Sequence, residues 1–216
     1  MLVVFKQVVN LAPDSFRGYA NLGAAYYQLN RYPEAISAFS DSENIRPNYQ
    51  AASNLGTVLF FSGDYRKAAE AFETAVKFRD RDYRLWAYLA SAERWAGRPE
   101  AAKAAFQRSA ELGEESRRIN PQDAKVLSIL ADDYGNLGDL KNAADLIQQA
   151  LMIAPEDASV LFRAANIYED VLHDRPRAFT LLSRALARGY DRAEVDRTPV
   201  LAKLRSDPKF KSLQTQ

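Results

Sequence analysis

The chain has 216 residues, with 29 Lys plus Arg against 28 Asp plus Glu, one histidine and no cysteine. A net charge of +1 argues against whole-surface attraction to nucleic acid or membrane, and the absence of thiols excludes disulfides, thiolate nucleophiles and thiolate metal sites. No run of about eighteen apolar residues occurs, so no bilayer-spanning segment is predicted. A cysteine-free chain of this kind suits the cytoplasm, or the periplasm where an upstream membrane span precedes it.

The first stretch, MLVVFKQVVNLAPDS, lacks the basic start and long apolar core of a signal peptide and reads as a helix over residues 2–12. Residues 15–47 then form a complete unit. Phe16, Tyr19, Gly23, Tyr26 and Tyr27 recur at helical steps, as do Ala35, Ala38, Phe39 and Ser42, which gives two amphipathic helices joined at Asn30-Arg31-Tyr32-Pro33. Similar pairs are predicted over 48–81, 82–121, 123–155 and 157–189. Their shared register is visible in columns: Ala35, Ala68, Ala102, Ala143 and Ala178 are spaced by 33, 34, 41 and 35 residues. Four positions further on stand Phe39, Phe72, Phe106, Ile147 and Leu182. The turn column reads Asn30, Gly63, Gly97, Gly138 and His173, all residues that tolerate positive φ, so the lone histidine is expected to close a helix rather than to bind or catalyse. The spacing of 41 is a normal period plus about two helical turns, which predicts a long second helix in the third unit, from about Pro99 to about Ile119, projecting beyond its neighbours as a solvated overhang or a partner-specific ledge, with a break at Gly113 as the alternative. After Tyr190 the pattern ends. Thr198-Pro199 and Asp207-Pro208 each pair an N-cap residue with proline, and Val200, Leu201, Leu204, Phe210 and Leu213 supply apolar anchors, so residues 191–216 are expected to form a helical cap on the last pair.

The columns carry a resemblance. The pattern W-x2-L-G-x2-Y…A-x3-F…P is that of the tetratricopeptide repeat, and Trp86-Ala87-Tyr88-Leu89-Ala90 and Tyr19-Ala20-Asn21-Leu22-Gly23 are similar to its opening, as Pro47, Pro121 and Pro155 are to its closing proline. The chain from about residue 2 to 190 resembles an array of five such repeats, and the resemblance implies an all-α, right-handed α-solenoid. In register with it, Phe5 precedes Phe39 by 34 residues and Pro13 precedes Pro47 by 34, so residues 2–12 look like the second helix of an earlier repeat. This gives the expectation that Met1 is an expression start within a longer protein. The closing segment resembles the end of such arrays in bacterial multidomain signalling proteins, including serine/threonine kinases and adenylate cyclases.

No catalytic constellation is present: there is no P-loop, GxGxxG, HExxH or EF-hand loop, and a Ser-His-Asp triad would rest on His173. The pairs Asp132-Asp133 and Glu114-Glu115 are expected to be solvated. No enzyme activity, cofactor or metal is therefore predicted. The family resemblance implies that the first helices line a groove for a protein or peptide segment, with positions Arg17, Tyr27, Gln50, Asn54, Phe60, Phe61, Arg84, Ser91, Arg94, Trp95, Lys125, Asp132, Phe162 and Asn166 facing it. The family's two-carboxylate clamp for chaperone tails is broken, because Ala20 and Ala24 stand at its first-repeat positions. Two rival expectations accompany the scaffold: a regulatory or sensory domain of a larger bacterial signalling enzyme, and a homodimer paired through the apolar face of the N-terminal helix and weakened by a polar residue at Phe5. The last 46 residues hold ten Lys or Arg against five Asp or Glu, without interleaved aromatics, so nucleic acid is not an expected partner.

Overall fold

A computed structural model describes residues 2–212, and among these every regular element is helical. The chain divides into two compact units, Met1–Ala105 and Phe106–Gln216. The first holds α1 (Leu2–Leu11), α2 (Phe16–Gln28), α3 (Tyr32–Ile45), α4 (Tyr49–Phe61), α5 (Tyr65–Phe78) and α6 (Tyr83–Trp95). The division falls within α7 (Pro99–Ile119). The second continues with α8 (Ala124–Asn136), α9 (Leu140–Ile153), α10 (Ala158–Asp170), α11 (Arg175–Ala187), α12 (Arg192–Arg197), a 3-10 turn at Pro199–Leu201, α13 (Ala202–Arg205) and α14 (Pro208–Ser212).

Most of the helices begin at a capping side chain. Ser15, Asn48, Asp64, Asp82, Asp123, Asp139, Asp157, Asp174 and Asp191 precede the first turn of their helices, and each side chain accepts a hydrogen bond from a backbone N–H of that turn. The turns between paired helices close in the left-handed region at Asn30 (φ 57°), Gly63, Gly97, Gly138 and His173 (φ 54°). His173 therefore serves as a turn residue. Pairing α2 with α3, α4 with α5, α8 with α9 and α10 with α11 buries the apolar stripes of both partners. The second helix approaches the first closely enough that a Cβ added to Gly23 or Gly56 would stand 2.8 Å from the ring of Phe39 or Phe72. That contact explains glycine at these two positions better than backbone flexibility does.

Two expectations are corrected. The helix α7 does run unbroken through Gly113, but its extension is no overhang. Leu112 is buried, Glu114 accepts a hydrogen bond from the Tyr134 hydroxyl at 3.2 Å, and a Cβ on Gly113 would meet Leu130 Cδ2 at 2.8 Å. The glycine is what lets α7 lie against α8. At the far end, Thr198 does not cap the turn that follows it; its hydroxyl donates back to the Glu194 carbonyl at 2.7 Å. Asp207 does accept from the Lys209 N–H at 3.0 Å. Val195, Leu201, Leu204 and Phe210 are buried, and Arg205 Nη1 donates to the carbonyls of Val195 (3.1 Å) and Thr198 (2.6 Å), tying the short helices together. Leu213 lies outside the described residues.

Candidate functional site

In the first unit the predicted groove residues come from α2, α4 and α6, whose matching phases follow from the repeat period. The aromatic members form a chain of rings. Phe60 meets Phe61 edge-on with centroids 5.7 Å apart, Phe60 meets Tyr65 at 5.2 Å, and Tyr65 meets Trp95 at 6.1 Å. All four rings stay partly exposed, and the Arg94 guanidinium lies 5.5 Å from the Trp95 ring centroid. Tyr65 was not predicted; it opens a second helix, and nothing in the first-helix columns points to it. Tyr27 is half-buried against Tyr32 at 5.6 Å. Arg17 and Gln50 are exposed, while Asn54 and Ser91 are half-buried.

Arg84 has a different occupation. Its Nε and Nη2 donate to the Asp82 carboxylate at 2.9 and 2.8 Å, so the guanidinium is held at the start of its own helix. The same contacts raise the arginine and hold the Asp82 carboxyl below its ordinary value against the opposing effect of its burial.

In the second unit most predicted positions are taken up internally. Phe162 is buried and stacked on Tyr190 with centroids 4.0 Å apart, which leaves it no face for a ligand; Tyr190 follows the last repeat, where register gives no warning of it. Asn166 turns inward, with a buried Oδ1 that has no partner among the described residues. Asp132 lies 3.9 Å from Arg163 and accepts from Asn136 at 3.2 Å, and Lys125 lies 3.9 Å from Asp157. Asp133, expected in solvent, is fully buried, and accepts a 2.6 Å hydrogen bond from Ser109 on α7. Burial pushes its carboxyl well above the usual carboxylate range. Glu93 and Glu169 are buried too, but each is matched by an arginine: Arg98 at 3.3 Å and Arg175 at 2.6 Å.

Among the described residues no group of three or more His, Asp or Glu is arranged to hold a metal ion. No helix among them is long and apolar enough to cross a membrane.

Two family profiles, both described as tetratricopeptide repeat, match the chain, one over residues 4–49 and 53–124, the other over 124–157. The chain belongs to the tetratricopeptide repeat family. Its fold is accordingly the α-solenoid of tetratricopeptide hairpins, shared with solved structures too distant in sequence to carry more than architecture. A tetratricopeptide repeat protein from Parabacteroides merdae matches with a TM-score of 0.67 at 17% identity, over 90% of this chain and 73% of that one. YrrB, described as a TPR protein with an unusual peptide-binding site, matches with a TM-score of 0.53 at 18% identity, over 89% of this chain and 96% of that one. In sequence, anaphase-promoting complex subunit 3 of Schizosaccharomyces pombe is 24% identical over 184 residues, 85% of this chain and 26% of its own length. The chain spans about a quarter of the length of the curated relatives it matches. Tetratricopeptide repeats generally serve as protein-interaction scaffolds.

Proposed function

We propose that the chain is a non-catalytic scaffold that grips a peptide segment of a partner protein along the first helices of its first unit. The observation that carries this reading is the partly exposed ring chain Phe61–Phe60–Tyr65–Trp95 with Arg94 beside it. Rings already packed against one another lose little freedom when a ligand covers them, so the ordering cost of binding is reduced. Arg17 and Gln50, exposed on the neighbouring first helices, orient the segment through its polar groups. YrrB offers a fold-level precedent for peptide binding on this architecture, and nothing closer.

The test starts from peptides selected out of a displayed random library on the full chain. Their affinity for Trp95→Ala and Phe60→Ala is expected to fall at least about tenfold, the loss typical of an anchoring aromatic. Unchanged affinity for both variants would remove the assignment.

A second reading, self-association, is favoured by α1. Leu2, Phe5 and Val9 face the core of the first unit, whereas Val4, Val8 and Leu11 recur on one exposed face, with Leu11 87% exposed. Phe5, the residue expected at a dimer contact, is instead part of that core.

A further inference from the structure

Arg46 precedes the cap of α4 by two residues and lies against Phe16, the first residue of α2, 5.1 Å from the ring centroid. The two helices therefore start at one edge of the first unit. Arg17 lies against the same ring at 5.6 Å, and one repeat further on Arg79 lies over Tyr49, the first residue of α4, at 3.5 Å. All three arginines are exposed, and none makes an ion pair among the described residues. A guanidinium resting on a ring has already lost rotamer freedom, while its N–H groups can still reach an anion.

The edge is cationic because its helix caps are neutral. Ser15 and Asn48 open α2 and α4, whereas Asp82, Asp123 and Asp157 open α6, α8 and α10. Arg84 shows the difference: it stands in the column of Arg17, and its own cap, Asp82, takes it up. Arg17 has a serine at that place and keeps its charge open. Of the other carboxylates close in sequence, Asp14 and Asp80 pair with none of the three arginines, and Glu43 accepts from the Asn48 N–H at 3.5 Å. Arg79 acts on Asp82, but Arg84 already holds that carboxylate.

We propose that this edge receives the acidic part of a partner peptide, a cluster of Asp or Glu about five residues away from an aromatic anchor. The inference rests on the reading that the ring chain from Phe61 to Trp95 holds the anchor. At about 100° per residue, Gln50, Asn54 and Phe61 share one side of α4, so the cationic edge and the rings are two ends of one face. From Tyr49 to Phe61 the helix rises about 18 Å, which an extended chain covers in about five residues. Between its ends α4 has no charged residue. A nucleic acid strand, charged at every nucleotide, would leave phosphates unmatched there, whereas a peptide can keep its acids at one end and its anchor at the other.

The probes are three fluorescein-labelled peptides titrated against the full chain by anisotropy. They share a central Trp and differ only in the pair of residues placed about five positions to each side of it, which is Glu, Gln or Lys. The glutamate peptide is expected to bind at least about tenfold more tightly than the glutamine peptide, and the lysine peptide more weakly than either. Arg17→Glu/Arg46→Glu should cost the glutamate peptide at least about tenfold, while Lys103→Glu/Lys141→Glu, the same charge change on α7 and α9, should leave it unchanged. Should the arginine variant lose helicity by circular dichroism, the ranking of the three peptides decides alone. Equal binding of all three, lost in Trp95→Ala, would overturn the acidic assignment and leave the ring chain standing. Glutamate-selective binding untouched by Trp95→Ala and Phe60→Ala would instead remove the ring reading, and this two-ended ligand with it. An equal loss in the lysine variant, displacement of the glutamate peptide by an equal concentration of oligothymidylate, or no binding at about 1 mM would each overturn the proposal.

Discussion

Asp133 stands in a helix column that Ala25, Val58, Ala92 and Ile167 fill in the other hairpins, all of them buried. A carboxyl there has lost its water. Ser109 gives it one hydrogen bond at 2.6 Å, and Oδ1 has no partner among the described residues. The charged groups acting on it are Asp132, which raises it further, and Arg163, which lowers it; burial outweighs both. Because its folded pKa lies above the unfolded value, the folded chain keeps a proton that the unfolded chain releases. The associated stability is complete below the unfolded value of about 3.9 and is lost as pH rises through the raised folded value. Asp133→Asn, which imitates the protonated carboxyl, should remove this dependence: from about pH 4 upward its urea midpoint should increasingly exceed that of the parent chain. Parallel midpoint curves would show that Asp133 does not titrate in this way. The burial of Asp133 was legible in that apolar column, and reading Asp132-Asp133 as a solvated pair overlooked it; what the column could not show is the Ser109 hydroxyl that meets the carboxyl.

At the scale of the element, α7 sets two magnitudes against each other. Gly113 in a helix interior costs about 1 kcal/mol relative to alanine, so Gly113→Ala gains that in propensity. The new Cβ would stand 2.8 Å from Leu130 Cδ2 and 3.1 Å from its Cγ, and Leu130 is 0% exposed, so the side chain must shift within the core. Overpacking of this kind costs typically 1–3 kcal/mol, so the net expectation is a loss of up to about 2 kcal/mol, read as a lower denaturation midpoint with unchanged helicity. A rise in stability would mean that α7 and α8 can part. The length of α7 was readable from the 41-residue spacing, because a two-turn insertion keeps the buried stripe in phase. That the added turns would pack rather than overhang was not readable. It depends on Tyr134 and Leu130, which belong to another helix.

At the scale of the whole molecule, neighbouring hairpins pack on one another within each unit, and α1 bears an apolar face left largely open among the described residues: Val4 is 56% exposed and Leu11 87%. Light scattering of the full chain should therefore give a dimer mass, and Val4→Lys/Leu11→Lys should give a monomer with unchanged circular dichroism. A parent chain that is monomeric at every concentration would end the self-association reading. By itself, the sequence determined the helices, their pairing and their turns, because periodicity, capping aspartates and positive-φ residues act over a few positions and repeat in register. Only the tertiary structure decided which side chains remain for a partner. It drew Phe162 onto Tyr190 and Arg84 onto Asp82, buried Asp133, and left the rings from Phe61 to Trp95 partly open. The physical reason is that availability depends on what lies opposite a residue in space, and a column of repeats records only where a residue sits on its own helix.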